Sequence, residues 1–347
     1  MTRADAWRVD LLDARENVKL TLPRVRDGKL DWSIFRSVAG GGSLSWTQDD
    51  IPISWLTDRL RVTHVDGAGV ETPLGVWLPS MPGWDTSPTA TTTTVELLDK
   101  TELLNSPVGA WVTYAAGTVV TDQVAAIIAA RGERHTLITA STATLSTAQS
   151  WEPGDTWLKV VNDLLATINY GSLWADMDGQ LVVAPYVAPA DRPVVATYGG
   201  EPGDALLVPE WSDKAEIFAL PTGARVYVAG DETTAGIVGR ADLPDAHPLS
   251  AASRGREILI AEDGEADSQA TANALAQRAL DDAMQVTRNV EVSHPLDGTQ
   301  VNDAVHHRPL GLDATITQRE ITMGVGAIVT DTIRHIYTGG ELPWPVT

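Results

Sequence analysis

Residues 151–186 read WEPGDTWLKVVNDLLATINYGSLWADMDGQLVVAPY, and they constrain the fold more than any other stretch of the chain. Trp157, Val160, Val161, Leu164, Leu165 and Ile168 recur at helical spacing, so one face of a helix is apolar and must be covered. Gly154-Asp155 predicts the start, because an Asp carboxylate accepts from the free amides of a first helical turn. Asn169 and Gly171 predict the end. A strand over Leu173–Asp176, a turn at Asp178-Gly179 and a return strand over Leu181–Pro185 then read as a tight β-hairpin. A helix joined at once to a hairpin requires an α+β domain around it.

On either side of this unit the chain reads as β. Val18, Leu20 and Leu22 alternate, which is strand periodicity. Asp27-Gly28 predicts a turn before a strand over Leu30–Ile34. Gly40-Gly41-Gly42 precedes Ser43–Trp46. Strands are expected near Arg59–Val65 and Glu71–Leu78, then a loop over Ser80–Pro88, then a Thr-rich strand over Thr89–Leu98. The segment Ile51–Arg61 reads equally as a strand or as a loop carrying Trp55. Between 106 and 203, Thr121-Asp122 predicts the cap of a short helix, and His135–Ile138 a short strand. The segment Ala188–Gly203 is rich in Pro and Gly and reads as a connection. Beyond it, strands are expected at Ala224–Ala229, Glu257–Ala261, Thr287–Ser293, Val301–Val305, Leu312–Ile316, Arg319–Met323 and Ala327–Tyr337. Ser268 predicts the cap of an Ala-rich helix to about residue 284. The resulting expectation is an α+β, mostly β chain of three domains at 1–105, 106–203 and 204–347.

With 347 residues there is enough chain for two or three cores. The absence of cysteine excludes disulfides and thiolate chemistry. The formal net charge of −21 argues against stable binding of nucleic acid or anionic lipid, both of which need Lys and Arg. It is compatible with a conduit that DNA passes through without sticking. No stretch is apolar for long enough to span a bilayer, and the N-terminus does not read as a signal peptide, so synthesis in the cytoplasm without a membrane anchor is expected.

Chemistry is hard to place. The seven His form no metal-binding motif. His306 and His307 would point to opposite faces of a strand. Asp176 and Asp178 fit a hairpin better than an ion loop. No nucleophile elbow and no phosphate loop occur. Asp49-Asp50 and Asp281-Asp282 are adjacent pairs. On a helix Asp281 and Asp282 do not face one another, so that pair reads as a solvated face rather than as glycosidase carboxylates. No catalytic, cofactor or metal residue is expected.

The helix–hairpin segment, set between two strand-rich regions, resembles the hub proteins at the tip of phage tails, of the late-control-D type and of long-tailed siphophages. The resemblance implies two small β-barrels flanking the helix-containing domain, at the tail tip of a virion. It also implies a homotrimer whose six barrels match a six-fold tail tube to a three-fold tip. Implied partners are a distal tail protein ring, the tape-measure protein, and fibre or receptor-binding proteins. Trp is abundant, 12 against two Phe, and Trp55, Trp77 and Trp84 are candidate interface residues. A β-rich receptor- or carbohydrate-binding tail protein is the alternative. A hydrolase is a weaker one. The terminal Leu342–Pro345 reads as a docking tail or a frayed end.

Overall fold

The computed structural model describes residues 6–336 except 24, 48–50, 88–89, 200, 202–203, 209, 215–217, 219, 231–234, 265, 267, 285–287 and 325–326. Asp49-Asp50 and the Leu342–Pro345 segment lie outside the described residues.

Seven strands form the first region: β1 (Ala6–Leu12), β2 (Val18–Thr21), β3 (Val25–Ser33), β4 (Gly40–Thr47), β5 (Arg59–Val65), β6 (Glu71–Thr86) and β7 (Thr91–Leu98). They pair in the order β2-β1-β5-β6-β7-β4-β3. Leu11, Leu30, Leu44, Trp46, Leu60, Leu74 and Trp77 fill the core between them. Two turns expected from the sequence are absent. Asp27 and Gly28 lie inside β3, paired with Ser45 and Leu44. Gly28 is there for space: a Cβ would come within 2.6 Å of Leu44 and 2.7 Å of Met323. Likewise most of the expected loop Ser80–Pro88 continues β6, because a bulge between Ser80 and Gly83 absorbs Met81 and Pro82 before pairing with β7 resumes.

The middle of the chain holds β8 (Val112–Tyr114), α1 (Val120–Ala130), β9 (Thr136–Ile138), β10 (Gln149–Trp151), α2 (Trp157–Thr167), β11 (Trp174–Ala175) and β12 (Leu181–Val183). The helix–hairpin is present as read. In α2, Val160, Val161, Leu164 and Leu165 are fully buried against α1, Trp151 and Tyr170, and each such side chain contributes about 1.5–3 kcal/mol. The caps differ from expectation. Thr156, not Asp155, caps α2, its hydroxyl accepting from Lys159 N–H. Val119 precedes α1 without a side-chain cap. Asn169 adopts a positive φ after α2, as an end signal should.

The rest comprises β13 (Val194–Gly199), β14 (Ala205–Leu206), β15 (Ser212–Lys214), β16 (Gly223–Val228), β17 (Ile237–Asp242), α3 (Ala251–Arg254), β18 (Leu259–Asp263), α4 (Gln269–Met284), β19 (Asn289–Pro295), β20 (Ala304–His307), β21 (Leu312–Thr322) and β22 (Ile328–His335). The stretch read as a connection thus contains β13, which pairs in parallel with β20. Pairing then runs β13-β20-β21-β22-β19. The segment 205–214 meets both edges: β14 pairs with β13, Val208 N–H reaches Ser293 O at 2.8 Å, and β15 pairs with β19.

The two strand-rich regions that flank the helical segment share strand pairing in one 14-stranded sheet. The seam is β3 against β21, with Leu30 opposite Ile321 and Trp32 opposite Arg319. The strands expected near 224–229 and 257–261 stand outside this sheet. They form a three-stranded sheet, β17-β16-β18, covered by α4. Ser268 caps α4, its hydroxyl accepting from Thr271 N–H at 3.2 Å. The contact is close because Gly239 of β17 faces Ala272: a Cβ at Gly239 would overlap the Ala272 carbonyl. Gly239→Ala should therefore push α4 off the sheet and cost about 1–3 kcal/mol. A thermal midpoint equal to that of the parent protein would refute this packing.

Candidate assembly surfaces and buried charge networks

The hairpin turn that follows α2 serves the whole molecule. Gly179 has φ +81°, and its Cα lies so close to β6 that a Cβ would be 2.5 Å from Val76 Cγ2. Met177 O accepts from Gly75 N–H at 2.8 Å, and Lys100 Nζ donates to Gly179 O. The turn thus docks the helical domain onto the first β region.

Beneath it sits a cluster of four buried charges. Arg59 donates to Glu16 at 2.6 Å and to Glu133 at 2.8 Å. Lys100 is 2.5 Å from Glu16 and 3.0 Å from Glu133. Glu16 holds a positive φ of 64°, a strained state for a non-glycine residue, which aims its carboxylate into the cluster. Burial alone would raise the Glu133 carboxyl, but Lys100, the His135 N–H and Arg59 outweigh it and hold it below its ordinary range. Glu16, Glu133 and His135 lie close enough together to hold a metal ion. With Lys100 and Arg59 already against both carboxylates, however, the group is charge-balanced, and its chemistry is that of a junction.

A second network lies inside the C-terminal part of the sheet. Arg319 of β21 is bidentate to Asp331 of β22, at 2.8 and 2.7 Å, and its Nη2 also donates to Thr299 Oγ1 at 2.6 Å. His294 Nε2 lies 2.9 Å from Asp331, and the His294 ring stacks on Tyr198, centroids 4.5 Å apart. Burial would raise Asp331, but Arg319 and His294 together hold it below the usual carboxylate range. Burial pushes the Tyr198 hydroxyl up, with Asp331 and Asp297 adding to it. The network cross-links β19, β21 and β22. Sequence reasoning missed both networks, since their members are far apart in the chain: Arg59 bridges Glu16 and Glu133, and His294 joins Tyr198 to Asp331.

The candidate interface tryptophans divide. Trp77 is 1% exposed and belongs to the core, with its indole N–H bonded to Leu74 O at 2.9 Å, so it offers nothing to a partner. Trp55, on the loop before β5, is half-buried and stacks on Trp46 at 6.2 Å. Trp84 meets Trp55 edge-on at 6.2 Å and is 53% exposed. Met81 on β6 and Leu56 on the loop before β5 are exposed as well, so apolar side chains reach solvent on both segments that carry Trp84 and Trp55. His306 and His307 do face opposite ways: His306 pairs with Asp313 at 2.7 Å, and His307 is buried. Asp282 lies on an exposed face, as the solvated reading expects, and Tyr186 donates to it at 3.0 Å. Among the described residues no helix is long and apolar enough to cross a membrane.

No model of a known protein family matches the sequence, and no curated protein matches it. Solved structures do. A tail protein from Neisseria meningitidis aligns with a TM-score of 0.67 at 13% identity, covering 95% of this chain and 97% of that one. The 43 kDa tail protein of prophage MuSo2 from Shewanella oneidensis aligns with a TM-score of 0.63 at 15% identity, over 94% and 98%. The chain has the fold of a phage tail protein. An Escherichia coli type VI secretion component, described as similar to the T4 tail proteins gp27 and gp5, shares this tail-protein fold at a TM-score of 0.56 and 10% identity, over 93% of this chain and 78% of that one. The likeness is one of fold, since the sequence identity to these three proteins is 13%, 15% and 10%.

Proposed function

We propose that this chain is a structural virion component: a homotrimeric hub at the tail tip that joins a six-fold tube to a three-fold tip and lines part of the DNA conduit. The observation that carries this reading is the β3–β21 seam. It sets two β regions of one chain edge to edge, so three chains would present six such regions around an axis. The alignment with tail proteins over nearly their whole length supports it. The net charge of −21 suits a lumen that must not hold DNA. Expected partners are a distal tail protein ring, the tape-measure protein, and fibre or receptor-binding proteins, through which the tip would serve host attachment and genome ejection. We assign no catalytic step. Trp32, Trp46, Trp77 and Trp151 are buried and cannot stack on a sugar, which leaves the exposed Trp84, Trp111 and Trp211 to the glycan-binding alternative.

Obligate contacts of this kind bury above about 2,000 Å². Light scattering at micromolar concentration should give the trimer mass, and Trp84→Ser should weaken association about tenfold or more while leaving the fold intact. A monomer that stays a monomer on adding the adjoining tail protein would sink the proposal.

A further inference from the structure

A cavity of about 420 Å³ opens where β3, the helix–hairpin, α4 and β22 converge. Its charge is opposite to that of the protein. Arg36, Arg192, Arg278 and Arg334 line it, with Asp282 as the one carboxylate among the lining residues, in a chain of net charge −21. The walls between the arginines are apolar and aromatic, including Ile34, Phe35, Trp174 and Val301.

Three of the arginines are held in place. Arg278 donates to Tyr170 O at 3.0 Å and stacks on Tyr186 at 4.4 Å. Arg192 donates to Asn302 Oδ1 at 2.7 Å. Arg36 pairs with Asp31. Arg334 lies over the Phe35 ring at 4.1 Å, and its Nε is buried without a hydrogen-bond partner. Gln300 Oε1, on the same wall, is likewise buried and unpartnered. Burial lowers the pKa of both Arg192 and Arg334, as expected of cations lacking full compensation. A cavity of ligand size that gathers four cations in an acidic protein suits an anionic group with an apolar body.

We infer that this cavity is a docking site for a short acidic peptide segment of a neighbouring protein, with a carboxylate on Arg334 and apolar side chains against Phe35 and Trp174. A peptide fits better than a simple anion for a stated reason. The walls between the arginines are apolar and aromatic, and a peptide brings apolar side chains together with its carboxylates, whereas phosphate brings charge alone. The inference does not depend on the hub reading, since it concerns one chain and its cavity.

The test is titration of the full chain with N-acetyl-Asp-Leu-Glu amide, followed by tryptophan fluorescence, beside the neutral Asn-Leu-Gln analogue and inorganic phosphate. The acidic peptide should bind saturably and weaken with added salt, the neutral one should not bind, and Arg334→Gln should weaken binding about tenfold or more. Arg36→Gln, at the half-exposed rim, provides a second variant that should also weaken binding should Arg334→Gln fail to fold. Equal binding of the neutral peptide, tighter binding of phosphate than of peptide, or acidic-peptide binding unchanged in Arg36→Gln and Arg334→Gln would overturn the inference.

Discussion

Asp331→Ala is expected to destabilise the protein by about 3–5 kcal/mol, the usual cost of removing one partner from a buried ion pair. Arg319 is 1% exposed, and Asp331 takes both arms of its guanidinium. Without that carboxylate a buried cation keeps only the Thr299 oxygens as acceptors. His294 Nε2 loses its partner at the same time, while Nδ1 keeps Pro295 O. The effect depends on pH, and its sign follows from the depressed carboxyl. Burial works to raise Asp331, Arg319 and His294 prevail, and the folded value lies below the unfolded one. Such a group contributes its stability above the unfolded value, about 4, and loses it as the pH falls through the folded value. The gap between parent and variant in urea unfolding should thus be widest near neutrality and narrow below about pH 4. A gap that is constant with pH would show that the carboxylate's charge is not what stabilises the network.

Glu133→Ala should cost a similar amount, about 3–5 kcal/mol, for a different structural reason. Glu133 is fully buried between Arg59 and Lys100, and its removal leaves two cations facing Glu16 alone. Arg59 and Lys100 belong to the first β region, Glu133 to the helical domain. The loss should therefore loosen the seat of the Gly179 turn on β6. Pairing the change with Lys100→Met restores the charge balance, so the double variant should recover part of the loss. That sign of coupling is measurable in a double-mutant cycle by urea unfolding. Additive losses would mean that the cluster does not act as a unit.

The contrast between what was legible and what was not follows interaction range. The helix–hairpin was readable because its signals are local: a 3.6-residue apolar period in α2 and an Asp-Gly pair at the turn. Asp27-Gly28 carries the same dipeptide yet lies inside β3, because the space beside Gly28 is taken by Leu44 and Met323. Nothing within a few residues of Gly28 reports on Met323. β13 was missed for a related reason. The Pro and Gly that flank it hide a short β-branched run, Val194–Tyr198, and its partner β20 lies about a hundred residues away. Ser80–Pro88 looked like a loop because the bulge that accommodates Pro82 is created by the register of β7.

The candidate interface shows the same limit. Trp55, Trp77 and Trp84 are equivalent as letters, but β6 is buried over Leu74–Trp77 and exposed over Gly83–Thr86, so Trp77 falls inside and Trp84 outside. Composition alone decided that no disulfide holds this protein and that its overall field is acidic, and local periodicity decided α2 and its hairpin, since each depends on residues adjacent in the chain. The joining of two β regions through β3 and β21, the pairing of buried charges between distant elements and the gathering of four arginines around one cavity were decided only in three dimensions, because each requires groups that the chain itself keeps far apart.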